Sequence, residues 1–322
     1  MSNYNWMQQK LHKIALSSQF MREITFDIGS SLSSKNDLTD NHVFVSGLAR
    51  SGTTVILNAI YGTNEFASLS YEDMPFVLSP NLWSLFNPSM GHLQPKERAH
   101  EDGIKVSTNS PEAFEEVFWK TFTDNKPDSH EKFKIYVSNI LARYSKTRYL
   151  SKNNQNIRRL GILGSIYPNS KILVPFRDPI QHAFSLHKQH HNFLYQSEND
   201  HFIKNYMEWI GHTEFGPGYK MINSENIIFG DPSTLNHWLE QWLKTYKNCL
   251  ALSKKTKNLH LVCYETLCNK EKCWEKVLEI IEINKISKFA FTESKKKFTE
   301  SMNETLVAES YLLYEQMKNL SL

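Results

Sequence analysis

Residues 42–60, HVFVSGLARSGTTVILNAI, constrain the fold more than any other stretch of the chain. Val43, Phe44 and Val45 form a short apolar run, the pattern of a strand buried on both faces of a parallel sheet. The turn Gly47-Leu48-Ala49-Arg50-Ser51-Gly52-Thr53-Thr54 follows. Val55, Ile56, Leu57, Ala59 and Ile60 then recur as in a helix packed on a sheet. Strand, glycine-bounded loop and helix, in that order, aim backbone N–H groups and a helix dipole at an anion. Gly47 and Gly52 keep the spacing of G-x-x-x-x-G-K-[ST], the nucleotide-binding P-loop, but Thr53 stands where that motif has lysine. The cation sits inside the loop instead, as Arg50.

That change alters what the loop can hold. In an NTPase the lysine and a metal ion share the charge of the β- and γ-phosphates. One guanidinium, the hydroxyls of Ser51, Thr53 and Thr54, and backbone donors suit a smaller anionic load. A phosphosulfate is such a load, because its transferable sulfuryl carries less charge than a γ-phosphoryl and depends less on a bridging metal. A strand–helix turn without a ligand is the alternative for this stretch taken alone.

Four further strands are expected, at residues 66–70, 148–154 (RYLSKNN), 171–176 (KILVPF) and 259–263 (LHLVC), separated by helical patterns. Strands alternating with helices imply an α/β fold with a parallel sheet. In such a sheet ligands lie beyond the carboxyl ends of the strands. Glu72 and Asp73 emerge there after the second strand. Either offers a general base for an acceptor hydroxyl; a solvated or helix-capping acidic pair is the competing reading. Lys152 emerges after the third strand as a second cation. Arg177-Asp178-Pro179 follows the fourth, with Ser185 on the next helix, and an arginine with a hydroxyl is a phosphate clamp because the guanidinium fork matches the oxygens. In isolation, Arg177 pairing with Asp178 or another acid is the simpler account.

The remaining segments read as scaffold. Met7, Leu11, Ile14, Met21 and Ile24 give an apolar stripe for an N-terminal packing helix, and residues 29–40 a polar hinge. Ser110-Pro111-Glu112 reads as a helix start, with serine as N-cap, proline at the first position and an acid in the first turn. Helices are also expected over residues 131–142, 157–167, 235–246 and most of the last forty. Residues 193–228 are aromatic, polar and irregular, the character of a lid or substrate-binding insertion, and residues 74–109 are expected to help shape the same pocket.

At 322 residues, 40% hydrophobic and 22% charged, the chain is expected to form a single globular domain spanning 1–322. A formal charge of +3 and a single cationic cluster, Ser294-Lys295-Lys296-Lys297, give no electrostatic footprint for nucleic acid. Cys249, Cys263, Cys268 and Cys273 lack the spacing of a zinc or redox motif. His182, His187, His190 and His191 read as helix-surface residues, so no metal is expected. The absence of a secretory h-region and of any run of ~18 apolar residues leads to the expectation of no membrane span and a cytoplasmic location.

Together, G-x-x-R-S-G-T-T after a strand and a later strand ending in R-D-P, with a serine eight residues beyond the arginine, resemble the sulfotransferase family. The resemblance covers roughly residues 40–285 and implies a P-loop-kinase-like three-layer fold, a central parallel sheet flanked by helices with helical insertions. It implies 3′-phosphoadenosine 5′-phosphosulfate (PAPS) as co-substrate and PAP as product, without a metal. Gly47, Arg50, Ser51, Gly52, Thr53 and Thr54 match the family's 5′-phosphosulfate loop, and Arg177 and Ser185 its 3′-phosphate site. Tyr264-Glu265 resembles the Y-E-x-L segment beside the adenine. Arginine in the loop is closer to the tyrosylprotein- and carbohydrate-type members than to cytosolic small-molecule members, which carry lysine there and a histidine base. In the tyrosylprotein type a glutamate about twenty residues past the loop is the base, and Glu72 falls near that position. Lys152 resembles a lysine that steadies the sulfuryl group. The C-terminal G-x-x-G segment of cytosolic members is not evident, which leaves those adenosine contacts unassigned.

The expected reaction is in-line transfer of a sulfuryl group from PAPS to a hydroxyl or amine of a small-molecule, carbohydrate or peptide acceptor. Glu72 takes the acceptor's proton, while Arg50 and Lys152 stabilise charge on the bridging oxygen. Asp73 and a histidine stay open as alternative bases. The rival readings are a P-loop NTPase or small-molecule kinase, and a nucleotide-binding relative without catalysis.

Overall fold

The structure, a computed structural model, describes residues 5–32, 39–86, 96–97, 105–106, 110–112, 114–124, 126–222, 228–284, 289–293 and 300–322. In chain order the elements are α1 (Trp6–Leu16), α2 (Gln19–Ser31), β1 (Val43–Val45), α3 (Thr53–Tyr61), β2 (Phe66–Ala67), α4 (Pro80–Phe86), the ribbon β3 (Lys96–Glu97) and β4 (Lys105–Val106), α5 (Glu116–Phe122) and α6 (Pro127–Tyr144). They continue with β5 (Arg148–Lys152), α7 (Leu160–Ile166), β6 (Lys171–Phe176), α8 (Pro179–Asn199), α9 (His201–Trp209), α10 (Leu235–Ser253), β7 (Leu259–Cys263), α11 (Tyr264–Asn269), α12 (Glu271–Ile280) and α13 (Glu304–Leu320).

Among the described residues the main sheet is five-stranded, in the order β2-β5-β1-β6-β7, and every pairing is parallel. Alternate residues of a strand face opposite sides, and each side is sealed by its own apolar cluster. Phe44, Tyr149, Ile172, Val174, Leu261 and Cys263 join the larger cluster, which takes in residues of α6, α7, α8 and α10. Val43, Val45, Leu150, Leu173 and Val262 join the smaller one with Ile56, Leu57 and Ile60 of α3 and Trp274, Val277 and Leu278 of α12. A sheet covered on both faces explains why its strands read as unbroken apolar runs. The expected three-layer α/β architecture is therefore present.

Several local expectations are corrected. The N-terminal segment is two helices that break at Ser17–Ser18, and the inward face is His12, Ala15, Leu16, Arg22, Thr25 and Phe26. Met7 and Ile14, placed inward from their spacing, are exposed. The buried face lies one position round from the apolar stripe on both helices, and on α2 it includes Arg22, which donates to the Thr121 hydroxyl. Residues 193–209, expected to be irregular, are mostly helical in α8 and α9. Ser110-Pro111-Glu112 does not start a helix: Pro111 bridges Ser70, the Glu112 N–H donates to the Leu69 carbonyl, and α5 begins only at Glu116. A backbone partner across from β2 outweighed the local capping preference. The Ser294–Lys297 cluster, most of the 74–109 loop beyond residue 86 and part of the 29–40 hinge lie outside the described residues.

Phe44 is fully buried on the central strand. Phe44→Ala should lower unfolding free energy by about 3–5 kcal/mol, read from a urea titration, the usual cost of truncating a core phenylalanine.

Candidate active site

The carboxyl ends of four neighbouring strands converge on one region. Register places Val45, the last residue of β1, level with Lys152 of β5 on one side and Leu173 of β6 on the other. From Val45 the chain enters the glycine-bounded loop. Gly47 lies so close to β6 that an added Cβ would stand 2.8 Å from the Pro175 carbonyl oxygen. Gly52 has φ +96°, and a Cβ there would meet the Tyr264 ring at 2.4 Å. Both glycines are required, the second for its left-handed backbone and for close approach. Gly52 caps α3 without a side-chain hydrogen bond, so the first N–H groups of α3 face the loop mouth, the arrangement that receives anions.

Arg50 also adopts a left-handed backbone, φ 70°, unusual for a residue with a side chain. Two elements behind the loop hold it there. His182 of α8, wholly buried, has Nε2 2.7 Å from the Ala49 carbonyl oxygen. A carbonyl only accepts, so Nε2 carries the proton. Burial pushes its pKa down to about 3; the bond to Ala49 opposes this only in part, and the nearby Arg177 and Arg50 charges add to it. From α10, Tyr246 donates to the Pro175 carbonyl at 2.8 Å beneath the same loop.

Arg50, Ser185 and Arg177 come together. Arg50 Nε donates to Ser185 Oγ at 3.2 Å, and Arg177 Nη1 reaches the Arg50 carbonyl at 3.5 Å. Glu265 braces the cluster from the first turn of α11: its Oε1 accepts the Asp178 N–H at 2.9 Å and lies 4.0 Å from Arg177 Nε, while Tyr314 donates to Oε2 at 3.2 Å. Asp178 itself caps α8 through the Gln181 N–H, and Glu265 is an acid within reach of Arg177. Thr53 donates to Asn154 Oδ1 at 3.1 Å, tying the start of α3 to the segment after β5. Ser51 and Thr54 are buried within the loop and its helix.

Lys152 is 5% exposed, and its Nζ lies 3.8 Å from Glu112 Oε1. The other oxygen of Glu112 accepts from the Tyr71 hydroxyl at 3.0 Å. Lys152 also acts on Glu214, a buried carboxylate 3.0 Å from His212 Nδ1. Burial alone would make Glu214 a weaker acid; His212 and, to a smaller extent, Lys152 overcome this and hold its pKa near 2. Glu214 lines a small pocket with Leu48 and Ala49 of the loop, Leu186 beside Ser185, Tyr219 and Gln241. Glu72, by contrast, has its ion pair with Arg143 at the end of α6, 3.7 Å away, and keeps 29% of its side chain exposed. Asp73 is buried and bonded to the Tyr144 hydroxyl at 2.6 Å and the Ser70 N–H at 2.8 Å; burial, offset in part by these bonds, raises its pKa to about 6.

Sequence reasoning missed Glu112, Glu214, Glu265, His182 and Tyr246 as parts of the site. Glu265 had a visible signal, standing next to Tyr264 at a strand end. Glu112 was masked by its resemblance to a first-turn helix acid. Among the described residues no group of three or more His, Cys, Asp or Glu side chains is placed to hold a metal ion. Among them, too, no helix is long and apolar enough to cross a membrane.

The sulfotransferase family matches residues 42–285, well over half of the chain, and the protein belongs to that family. It is a PAPS-dependent sulfotransferase, an enzyme that moves a sulfuryl group from PAPS to an acceptor. No curated protein matches it in sequence. Similar solved structures include sulfotransferase STF1 from Mycobacterium tuberculosis H37Rv, 10% identical over 98% of this chain and 87% of that one, with a TM-score of 0.47. Sulfotransferase STF9 from Mycobacterium avium is 10% identical over 98% and 79%, TM-score 0.47. Retinol dehydratase in a complex with retinol and PAP is 16% identical over 88% and 75%, TM-score 0.30.

Gly52→Ala should destabilise the fold by at least ~1–3 kcal/mol, the usual cost of a side chain held in a sparsely populated backbone region, with Tyr264 pushed off the loop. A urea titration beside that of the unaltered protein reads this directly. His182 makes stability depend on pH. Its folded pKa lies below the unfolded 6.5, so the unfolded chain takes up the proton first. Stability should therefore fall as pH drops from about 6.5 toward 3, by up to ~1.4 kcal/mol per unit from this group. His182→Gln should flatten that part of the profile, measured by urea unfolding at several pH values.

Proposed function

We propose that the loop Gly47–Thr54 holds the 5′-phosphosulfate of PAPS and that Arg177 and Ser185 hold its 3′-phosphate. The observation that carries this reading is the Arg50–Ser185–Arg177 cluster, because it joins two chain-distant cationic patches at one place. The donor set fits the group: N–H groups at a helix start, two forked guanidiniums and several hydroxyls match multiply charged oxyanions. Tyr264, lying on Gly52, is the side chain suited to the base of the nucleotide.

In this reading Arg50 and Lys152 offset charge on the oxygen that bridges sulfur and phosphorus, so the protein's own cations fill the place that a metal takes in phosphoryl transfer. Two carboxylates compete to take the acceptor's proton, Glu72 and Glu112. The small pocket beside Leu48 and Ala49 is the acceptor's entry, with residues 193–228 supplying Glu214 and Tyr219 to its wall. A compact hydroxyl or amine compound, a sugar or a peptide side chain fits that description. The arginine in the loop favours kinship with tyrosylprotein- and carbohydrate-type members. We read the chain as one sulfotransferase domain, and its four free thiols suit a reducing compartment such as the cytoplasm.

Calorimetry with PAP, set against ATP plus Mg²⁺, tests the donor assignment. PAP should bind without metal and ATP–Mg²⁺ should not compete with it. Arg177→Ala should weaken PAP by roughly 10–100-fold, the loss of a charged hydrogen bond worth about 1.5–3 kcal/mol. Tight metal-dependent ATP binding would favour the NTPase reading instead.

A further inference from the structure

We propose that Glu112 is the proton acceptor of the transfer, with Lys152 standing between the donor's sulfuryl group and this carboxylate. The inference rests on the donor-site reading above and adds the chemistry on the acceptor side.

Three observations select Glu112 among the nearby acids. Position is the first. Glu112 follows Pro111, which bridges Ser70, and its N–H is bonded to the Leu69 carbonyl, so it is fixed just past β2 at the carboxyl edge of the sheet. There it meets Lys152, which the register sets level with the residue that enters the phosphosulfate loop. Orientation is the second. The Tyr71 hydroxyl holds one carboxylate oxygen and leaves the other toward Lys152. Burial is the third: the side chains of Lys152 and Glu112 are 5% and 9% exposed, so their charges act on each other and on a reacting group with little solvent screening.

The other carboxylates suit the role less well. Glu214 is clamped by His212 as a strong acid, which makes it a poor proton acceptor and better suited to keeping Lys152 charged. Glu72 is turned toward Arg143 and partly exposed. Asp73 is buried with Oδ2 taken by both the Tyr144 hydroxyl and the Ser70 N–H, and its Oδ1 faces Arg143 Nε at 3.9 Å.

The step balances without a further reagent. The acceptor's hydroxyl oxygen forms the new bond to sulfur, and the bond from sulfur to the bridging oxygen breaks. That electron pair leaves with PAP, steadied by Lys152 and Arg50. The hydroxyl proton passes to Glu112 Oε1 and from there to solvent when the products leave.

The test uses the full chain, ³⁵S-labelled PAPS, and as acceptors water, 4-nitrophenol, a methyl glycoside and a tyrosine-containing peptide. Glu112→Gln should slow sulfuryl release by ~100-fold or more, while PAP affinity by calorimetry stays within about twofold of the unaltered protein. The acid limb of the pH–rate profile should vanish in that variant, and added formate should speed Glu112→Ala, a rescue that a purely structural residue would not show. Wild-type rates in Glu112→Gln, or a loss that falls on Glu72→Gln instead, overturn the assignment. So does an unaltered protein that binds PAP yet transfers sulfuryl to none of these acceptors. Failure of the unaltered protein to bind PAP at all is a separate outcome, which removes the donor-site reading itself and the proposal with it.

Discussion

The site depends on one register. Because Val45 is level with Lys152 on one flank and Leu173 on the other, the loop after β1 opens between the ends of β5 and β6. A slip by one residue would turn Lys152 to the opposite face of the sheet, toward the larger apolar cluster packed on α6, α7, α8 and α10. That slip is opposed by the apolar alternation of each strand, since Phe44 and Val43 would exchange faces with it. The chemistry at the strand ends is thus held in place by packing some way below it, and the loop itself needs only a few local restraints.

Those restraints place charge in a poorly solvated setting. Arg50 and Arg177 come together at the loop and Lys152 lies at the neighbouring strand end, each with an acid, a hydroxyl or a backbone oxygen within reach. Left alone, cations so close would repel, and removing them from water costs several kcal/mol per ion before pairing. Glu265, Glu112 and Glu214 offset this in advance of any anion. A neutral His182 completes the arrangement: it restrains the loop through a hydrogen bond without adding another positive charge, which burial between two guanidiniums makes unfavourable.

How much of this could be read from the residues alone follows from which interactions are local. The strands at 43–45, 171–176 and 259–263, the glycine loop and the helix over 235–253 were legible, because apolar runs and glycine spacing report directly on burial and backbone form. Arg177 stood out at a strand end and Ser185 on the helix that follows, but that Ser185 meets Arg50 could not be read from either position. Glu112 was not, since Ser-Pro-Glu has a strong local preference for a helix start and the contact that overrides it comes from Leu69 and Ser70, some forty residues earlier. His182 was likewise hidden, because a buried histidine and a surface one look alike until the loop that lies over it is known. The N-terminal stripe failed for a related reason: a charged residue, Arg22, points inward to a hydroxyl partner that periodicity does not reveal.

The contact between Arg50 and Ser185 has a bearing on turnover. In the proposed donor assignment the two ends of the nucleotide are gripped by side chains that lean on each other, so a ligand carrying both anions would tighten both grips at once. Departure of the sulfuryl group leaves those anions in place. The spent nucleotide therefore keeps most of the contacts that drew the fresh one in, and its escape, more than the making of the new sulfur–oxygen bond, is the step such an architecture slows.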